Sequence, residues 1–278
     1  MMTNYQEGWN KRNVRYEDIH NVTSENLAAL ARSLNLKEGD VFLDLMCGYG
    51  AVTKAVFEHC ALHGIRIKPI LIDLFKEQLD RSVVELGDEE IIRISEDARL
   101  LSLQDNSVDC IAIKMGLHEV PRKDQVKVLK EAYRVLKQGG TIIIWDLMFK
   151  NHLEQLTFQA IVHEKNRLAG FYDMALNRYL PREEEIRDHL LKAGFENIEL
   201  VKEISYPFSS EKRLHTEFGG DENKLDEWNE FIRAVVPEHV KDTINFVDNG
   251  HTIEATFRKG ILRAVKPDLD SKDERRAN

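Results

Sequence analysis

The feature that most constrains the fold of this chain is a repeated alternation of short, continuously apolar runs with segments of helical periodicity. The first run covers 41–45 and leads into apolar residues at helical spacing, and residues 69–73 begin a second unit of the same kind. The pattern continues with runs at 91–94, 110–113 and 141–145. Strands without polar alternation are covered on both faces, and strands that alternate with helices are usually parallel. The sequence therefore predicts a doubly wound α/β fold.

The second half of the chain predicts further elements around this sheet. Residues 150–180 combine helical periodicity with aromatic side chains and carry no buried-strand pattern, so we expect a lid over the sheet edge. Residues 198–204 predict a sixth strand, and alternation over 253–258 predicts an antiparallel last strand with one wetter face. Gly139 and Gly140 predict the end of the helix before the fifth strand. We therefore expect seven strands, mostly parallel, with a helical lid and insertions.

The chain length of 278 residues favours one elaborated domain. The first residues have too little apolar periodicity for a core and predict a mobile flap that closes over a ligand, with ordinary surface packing as the alternative. The residues behind this flap prediction are Tyr5, Trp9, Arg15, Tyr16 and His20. The expected division is a flap and helix at 1–35, an α/β domain at 36–265 with a lid at 150–180 and a helical insertion at 208–250, and a charged, disordered tail at 266–278.

Composition excludes several classes of protein. Hydrophobic residues make up 42% of the chain and charged residues 31%, which is typical of a globular protein. The formal net charge of -9 disfavours nucleic acid as a partner. Cys47, Cys60 and Cys110 lie singly in apolar surroundings, which favours buried thiols in a reducing, cytoplasmic compartment. No secretion signal is recognisable, no run approaches the roughly 18 apolar residues of a membrane span, and the oligomeric state stays open between monomer and homodimer.

A glycine-containing loop between the first strand and its helix indicates a nucleotide-like ligand. Gly48, Tyr49 and Gly50 stand where the chain turns sharply and where a ligand can approach the backbone. Thr53 occupies the third glycine position of a dinucleotide fingerprint, which weakens a nicotinamide or flavin assignment. Asp73 follows Gly50 by 23 positions, close to the roughly 20 expected of a carboxylate that binds ribose hydroxyls. The alternative is a structural turn, with Asp73 capping the next helix.

Several motifs together resemble those of the class I S-adenosylmethionine-dependent methyltransferases, and specifically the ubiquinone/menaquinone C-methylase branch. The resemblance spans about 36–146 and is carried by residues 43–50, 72–74 and 95–98. The most specific stretches are Asp-Asn-Ser-Val-Asp at 105–109, continuing to Val120, and Tyr-Arg-Val-Leu-Lys-Gln-Gly-Gly at 133–140. Cys47 replaces the family's first loop glycine, and Lys114 stands where that branch often has a small hydroxyl residue. The resemblance implies a Rossmann-like sheet.

The resemblance also implies a cofactor and its contacts. The cofactor would be S-adenosyl-L-methionine, leaving S-adenosyl-L-homocysteine as product. Asp44 and the backbone of 48–50, including Tyr49, would hold its amino-acid end, and Asp73 its ribose hydroxyls. The residues implied around the adenine are Leu74, Asp97 and Ala98, and those implied near the sulfonium are Lys114, Met115 and Gly116. This placement agrees with ligand binding at the carboxyl ends of the strands in open α/β sheets.

His118 is the candidate general base. It leaves the fourth strand beside the expected methyl position, and histidine titrates in the range needed to deprotonate a phenol, an amine or an activated carbon. The alternative is a polar residue that begins the next helix and orders the lid. Glu119 is more typical of a charge at a helix terminus than of a second base.

Other polar residues have weaker patterns. An acceptor pocket within the lid has as candidates His152, His163, Glu164, Arg167, Tyr172, Arg178 and Tyr179, with an exposed amphipathic face as the favoured alternative. His59, His63 and His215 lack metal-ligand spacing, so no metal is expected.

The sequence thus predicts a methyltransferase that transfers a methyl group to a carbon, nitrogen or oxygen of a small molecule by in-line displacement. Two alternatives stay open. The first is an NAD(P)-dependent oxidoreductase, against which Thr53 and the later motifs count. The second is a noncatalytic protein that binds S-adenosylmethionine.

Overall fold

The computed structural model describes residues 22–87 and 90–268. Its strands are β1 Val41–Leu45, β2 Lys68–Asp73, β3 Ile92–Ser95, β4 Val108–Lys114, β5 Leu136–Leu147, β6 Glu196–Ser209, β7 Val247–Asp248 and β8 Ile253–Val265. Within the described residues, seven strands form one sheet in the order β3-β2-β1-β4-β5-β8-β6, and the two-residue β7 pairs with β8. The first five strands pair in parallel, whereas β8 is antiparallel to β5 and β6. The predicted doubly wound, mostly parallel sheet with an antiparallel last strand is confirmed.

Helices cover both faces of this sheet and one end of it. They are α1 Ser24–Ser33, α2 Ala51–His63, α3 Lys76–Leu86, α4 Arg122–Val135, α5 His152–Leu168, α6 Tyr172–Asn177, α7 Glu183–Ala193, α8 Arg213–Thr216, α9 Glu222–Val235 and α10 Glu238–Lys241. A 3₁₀ turn, Leu117–Glu119, links β4 to α4. Thr23 caps α1, because its hydroxyl accepts a hydrogen bond from the Asn26 amide at 3.2 Å.

The prediction for Gly139 and Gly140 is wrong. Helix α4 ends at Val135 and the chain passes directly into β5, so the two glycines lie inside that strand. Gly139 has φ +72°, and a Cβ on Gly140 would lie 2.8 Å from the Lys137 carbonyl oxygen. The glycines therefore allow a tight bend within the strand rather than the end of a helix.

The hydrophobic core has three parts. One part lies between the sheet and helices α4 and α7 and includes Leu129 and Ile186. A second lies on the opposite face beneath α1 and α2 and includes Leu30 and Val56. The third lies beyond the end of β5, where α5 and α9 pack over the outer halves of β6 and β8, and it is rich in aromatic rings. The first two parts support the ends of the parallel strands. The third part forms a separate aromatic cluster beside them.

The predicted flap residues before position 22 and the predicted tail beyond 268 lie outside the described residues. Lys266 itself is buried, and its ammonium donates to Asn106 Oδ1 at 2.8 Å and to the Leu136 carbonyl at 2.7 Å. The packed part of the chain therefore extends at least to Lys266. In the described ranges, no helix combines the length and the apolar character needed to cross a membrane.

Candidate active site

The loop after β1 is shaped by two glycines with different surroundings. Gly48 has φ +56° and Gly50 has φ +87°, a region that residues with a Cβ rarely adopt. A Cβ on Gly50 would lie 2.6 Å from Leu86 Cδ1, so any other residue there would displace this side chain of α3. A Cβ on Gly48 would meet nothing within 4 Å. The backbone at Gly48 is therefore open to a ligand.

Asp73 connects this loop to the end of β2. Its Oδ2 accepts a hydrogen bond from the Gly48 amide at 2.8 Å, and its Oδ1 accepts one from the Phe75 amide at 3.0 Å. Burial raises the pKa of Asp73, although both of these hydrogen bonds act to lower it. A carboxylate offers about four acceptor positions, so these two contacts leave acceptor capacity for ligand hydroxyls.

A cavity of about 420 Å³ begins at these strand ends. Nine of the residues predicted around the cofactor line it: Gly48, Tyr49, Asp73, Leu74, Asp97, Ala98, Lys114, Met115 and Gly116. Asp44, Gly50 and His118 do not line it. The structure thus brings together the three segments on which the family resemblance depends.

Asp44 lies directly behind the loop. Its Oδ2 accepts hydrogen bonds from the Thr53 amide at 3.1 Å and the Thr53 hydroxyl at 2.7 Å. Thr53, at the third glycine position of the dinucleotide fingerprint, therefore orients the Asp44 carboxylate. Burial raises the pKa of Asp44 to about 7, against the opposing effect of Thr53 and Lys114. Its Oδ1 is buried and has no hydrogen-bond partner among the described residues. Such an acceptor is suited to a cationic or hydrogen-bond-donating group arriving from the loop.

Asp97 is held by a neighbouring guanidinium. Arg99 donates from Nε and Nη2 to the two carboxylate oxygens, at 2.9 Å and 2.5 Å, and its Nη1 reaches Asp124 at 3.0 Å. These hydrogen bonds from Arg99 hold the pKa of Asp97 below its usual value. Asp97 therefore remains ionised and oriented at the edge of the cavity.

The ends of β1 and β4 carry unusual backbone conformations. Met46 has φ 61° and Met115 has φ 53°, the left-handed region that few residues other than glycine adopt. A Cβ on Gly116 would lie 2.8 Å from Met46 Cβ, so the segments that follow β1 and β4 are closely packed. Such conformations cost about 1–3 kcal/mol each and concentrate at functional sites. Met46 and Met115 both line the cavity.

The cavity continues past Met115 into a second space, which we call the lid chamber. Its apolar walls are formed by Leu147, Phe158, Val162, Leu180, Tyr206, Phe208 and Trp228. Phe208 and Trp228 meet edge to face with ring centroids 5.7 Å apart, and the Trp228 Nε1–H donates to the Ile161 carbonyl at 2.9 Å. The chamber therefore has a rigid aromatic wall suited to a flat, apolar molecule.

Buried charges also face the lid chamber. Lys165 Nζ lies 2.7 Å from Glu217 Oε1, and Arg213 Nη1 lies 3.4 Å from the same oxygen. Arg213 Nη2 also donates to the Tyr206 hydroxyl at 2.8 Å. These residues are not among those predicted from the sequence. The available signal was Lys165 itself, which shares the buried face of α5 with Phe158.

His118 lies in a buried chain of charges beside the cavity. Its Nδ1 is 2.6 Å from Asp146 Oδ1 and its Nε2 is 3.1 Å from Glu119 Oε1. Glu119 in turn pairs with Arg178, whose Nε lies 2.6 Å from Glu119 Oε2. Burial lowers the pKa of His118, but the charges of Asp146 and Glu119 outweigh burial and raise it to about 9. Burial raises the pKa of Glu119, but Arg178 and His118 outweigh burial and hold it well below its usual range.

This arrangement favours a positively charged His118 with both ring nitrogens engaged. A general base needs a neutral ring with an available nitrogen facing the substrate. The assignment of His118 as the base stays a prediction, and the geometry favours its alternative, the ordering of the lid. The backbone supports that role, because the Tyr179 amide donates to the His118 carbonyl at 3.0 Å.

Of the lid residues proposed from sequence, only Arg178 lines the cavity. His163 hydrogen-bonds through Nε2 to the Arg178 carbonyl at 3.1 Å, and the Tyr179 hydroxyl donates to Glu185 at 2.7 Å. Arg167 pairs with Glu164 and Glu227 on the surface. No group of three or more histidine, cysteine or acidic residues is arranged to hold a metal ion within the described ranges.

The fold and this site define an open-sheet α/β protein that binds a nucleotide-like ligand at the carboxyl ends of its strands. A family model described as "Methyltransferase domain" matches residues 43–144. The ubiquinone/menaquinone biosynthesis C-methyltransferase UbiE of Hydrogenovibrio crunogenus is 30% identical over 184 residues, 60% of this chain and 69% of that protein. The mitochondrial 2-methoxy-6-polyprenyl-1,4-benzoquinol methylase of Arabidopsis thaliana is 29% identical over 159 residues, 53% of this chain and 54% of that protein.

Solved structures agree on the fold. A Bacillus halodurans protein proposed as a methyltransferase superposes with a TM-score of 0.72 at 20% identity, covering 87% of this chain and 99% of that one. The chain belongs to the class I S-adenosylmethionine-dependent methyltransferases and is similar to their ubiquinone/menaquinone C-methylase branch. Its cofactor is S-adenosylmethionine. Neither the oxidoreductase nor the noncatalytic alternative finds support in these comparisons.

Proposed function

We propose that this methyltransferase methylates a planar, largely apolar ring bound in the lid chamber. The observation that carries the proposal is one continuous cavity, which runs from Asp73 past Met115 to Phe158 and Trp228. Aromatic walls of this kind accommodate a flat ring and exclude water from it. The names of the curated relatives point the same way, because one describes a C-methyltransferase of ubiquinone/menaquinone biosynthesis and the other a benzoquinol methylase.

The residues at the strand ends fit the cofactor. The open backbone at Gly48 and the unpartnered Oδ1 of Asp44 suit its charged amino-acid end. Asp73 would accept hydrogen bonds from the ribose hydroxyls, and the half-exposed Leu74 would cover one face of the adenine. Asp97, fixed by Arg99, and the Ala98 amide would meet the adenine edge.

The bound cofactor supplies an electrophilic methyl group on a positively charged sulfur. The chain itself aligns the acceptor with this methyl group. Met115 and Met46, which follow β4 and β1, line the passage between the two halves of the cavity. Held by Asp146 and Glu119, His118 acts as a positioning residue that keeps Arg178 at the wall of the chamber. This network requires no proton transfer from the acceptor to His118.

We also propose that 36–265 forms one methyltransferase domain with its lid, working in the cytoplasm and without a nucleic acid partner. The supporting observations are three free cysteines, two of them buried, and the formal charge of -9. A hydrophobic core of this size does not need disulfide bonds for its stability.

Calorimetry tests the proposed function. S-adenosylhomocysteine should bind the purified protein and NADH should not. Incubation with S-adenosylmethionine and naphthoquinol should then give a product heavier by one methylene, detected by mass spectrometry. Binding of NADH without binding of S-adenosylhomocysteine would reject the assignment, and methylation of primary amines in place of ring acceptors would reject the proposed acceptor.

The positioning role of His118 predicts a pH dependence of stability. Its pKa rises from 6.5 unfolded to about 9 folded, so the stabilisation is complete below pH 6.5 and is lost as the pH rises through about 9. The wild-type free energy of unfolding should fall over this interval by about 3 kcal/mol more than that of His118→Gln. Urea titrations at several pH values measure the difference, and parallel curves for the two proteins would contradict the charged state of His118.

A further inference from the structure

We propose that Gln78 is a further cofactor-binding residue, whose side-chain amide donates a hydrogen bond to a ribose hydroxyl of the cofactor. The inference rests on the proposed function and adds a residue outside the motifs of the family resemblance. Gln78 lies in the first turn of α3 and lines the same cavity as Asp73. The residue is only 6% exposed, so the contacts of its polar group matter for both stability and binding.

The side-chain amide of Gln78 has no partner of its own in the protein. Within residues 22–87 and 90–268, no hydrogen bond joins this amide to another group. An amide in such a place is destabilising, because it loses hydrogen bonds to water and gains none in return. Buried polar groups without a partner are rare and need a specific explanation. Since Gln78 lines the cavity, a bound ligand can supply the missing partner.

The usual partner of a glutamine at this helix position is already engaged. Phe75 is the N-cap residue of α3, so Gln78 is the third residue of the helix. A glutamine at this position often accepts a hydrogen bond from the backbone amide of the N-cap residue. The Phe75 amide instead donates to Asp73 Oδ1 at 3.0 Å. Asp73 thus binds the amide that Gln78 would otherwise bind, and the Gln78 side chain stays available for a ligand.

The direction of a helical side chain brings Gln78 toward Asp73. Side chains of an α-helix lean toward its N-terminus and cover the preceding turn. For Gln78 this turn contains Phe75, because the Gln78 backbone amide donates to the Phe75 carbonyl at 3.0 Å. The Phe75 amide is the group that Asp73 binds. Gln78 and Asp73 therefore act on the same turn at the end of β2, where the ribose is proposed to lie.

A carboxylate and an amide complement each other toward a ribose. An ionised carboxylate only accepts hydrogen bonds, whereas a hydroxyl both donates and accepts. Asp73 can accept hydrogen bonds from the ribose hydroxyls, but the oxygens of these hydroxyls then still lack a donor. The Nε2 group of Gln78 supplies such a donor. Together the two side chains select a ligand whose ribose hydroxyls are free.

Calorimetry with matched ligands tests the inference. Gln78→Met keeps the size of the side chain but removes its amide, and it should weaken the binding of S-adenosylhomocysteine about fivefold to tenfold. An analogue of S-adenosylhomocysteine without either ribose hydroxyl should bind Gln78→Met and wild-type protein with similar affinity. Gln104→Met makes the same change at an exposed position between β3 and β4, and it should change neither affinity.

The stability of the ligand-free protein separates a binding role from a structural one. Gln78→Met should melt at the same temperature as wild type or at a higher one, because methionine buries no unpaired amide. A structural role predicts the reverse, and a lower melting temperature with unchanged affinity would overturn the inference. Gln78→Glu replaces the donor with an acceptor and should lose at least as much affinity. If Gln78→Met does not fold, Gln78→Glu decides with the same two ligands.

Failure of this inference is distinguishable from failure of the proposed function. Equal affinity of wild-type protein and Gln78→Met for S-adenosylhomocysteine would overturn the inference alone. An equal loss of affinity for the analogue without ribose hydroxyls would do the same, since the amide would then act elsewhere. Wild-type protein that does not bind S-adenosylhomocysteine would instead reject the proposed function.

Discussion

Replacing Asp73 with alanine should weaken the binding of S-adenosylhomocysteine by about 100-fold or more. Each hydrogen bond to a charged acceptor contributes about 1.5 kcal/mol or more, and a ribose offers two hydroxyls to this carboxylate. The substitution also frees the Gly48 amide, which Asp73 Oδ2 holds at 2.8 Å, so the loop after β1 loses a constraint. Calorimetry at constant ionic strength measures the change.

Two comparisons distinguish the contact between Asp73 and the ribose from the general effect of removing a negative charge. Asp80→Ala removes an exposed carboxylate of α3 that pairs with Lys76, and it should leave affinity unchanged. An analogue of S-adenosylhomocysteine that lacks both ribose hydroxyls should bind wild-type protein and Asp73→Ala with similar affinity. If Asp73→Ala retains wild-type affinity for S-adenosylhomocysteine, the ribose assignment is wrong.

Replacing Trp228 with alanine should have the largest effect on stability. The side chain is completely buried, its ring lies 5.7 Å from that of Phe208 and 5.6 Å from that of Phe218, and its Nε1–H bonds the Ile161 carbonyl. Removing a buried tryptophan costs about 3–5 kcal/mol, which for a chain of this size lowers the melting temperature by roughly 10 °C. Differential scanning calorimetry measures this loss.

Trp228→Phe serves as the matched variant. It keeps most of the aromatic surface but leaves the Ile161 carbonyl without its donor, so it should cost about 1–3 kcal/mol. Binding of S-adenosylhomocysteine below the melting transition should change little in either variant, because Trp228 lies at the lid-chamber end of the cavity. Equal melting temperatures for Trp228→Ala and wild type would show that the lid does not depend on this residue.

Sequence patterns predicted the sheet and the strand ends where the cavity begins, because both depend on local signals. Buried parallel strands are continuous apolar runs, and ligands bind where such strands end, so Gly48, Asp73 and Asp97 could be placed before any coordinates. The lid chamber was harder to predict from the sequence. The 47 residues between Lys165 and Arg213 carry no periodicity that brings the two cations together, and only the packing of α5 and α8 against β6 does so.

The prediction for His118 shows a different limit. Its position after the fourth strand was correct, but the role of a histidine depends on its partners. Asp146 lies near the end of the neighbouring fifth strand, so parallel pairing of β4 and β5 places it within reach of His118. Arg178 comes from the lid, about 60 positions away. A pattern can locate a titratable group, whereas its charge state follows from contacts that only the folded chain defines.

The position of β8 has a consequence for the order in which the protein is assembled. Strand β6 pairs only with β8 among the described strands, and β8 lies between β6 and β5 although it is the last of them in the chain. On the ribosome, β1 to β5 can pair as they emerge, whereas β6 must wait for the residues up to Val265. The nascent protein can therefore complete the strand ends of the proposed cofactor site well before it forms the lid chamber.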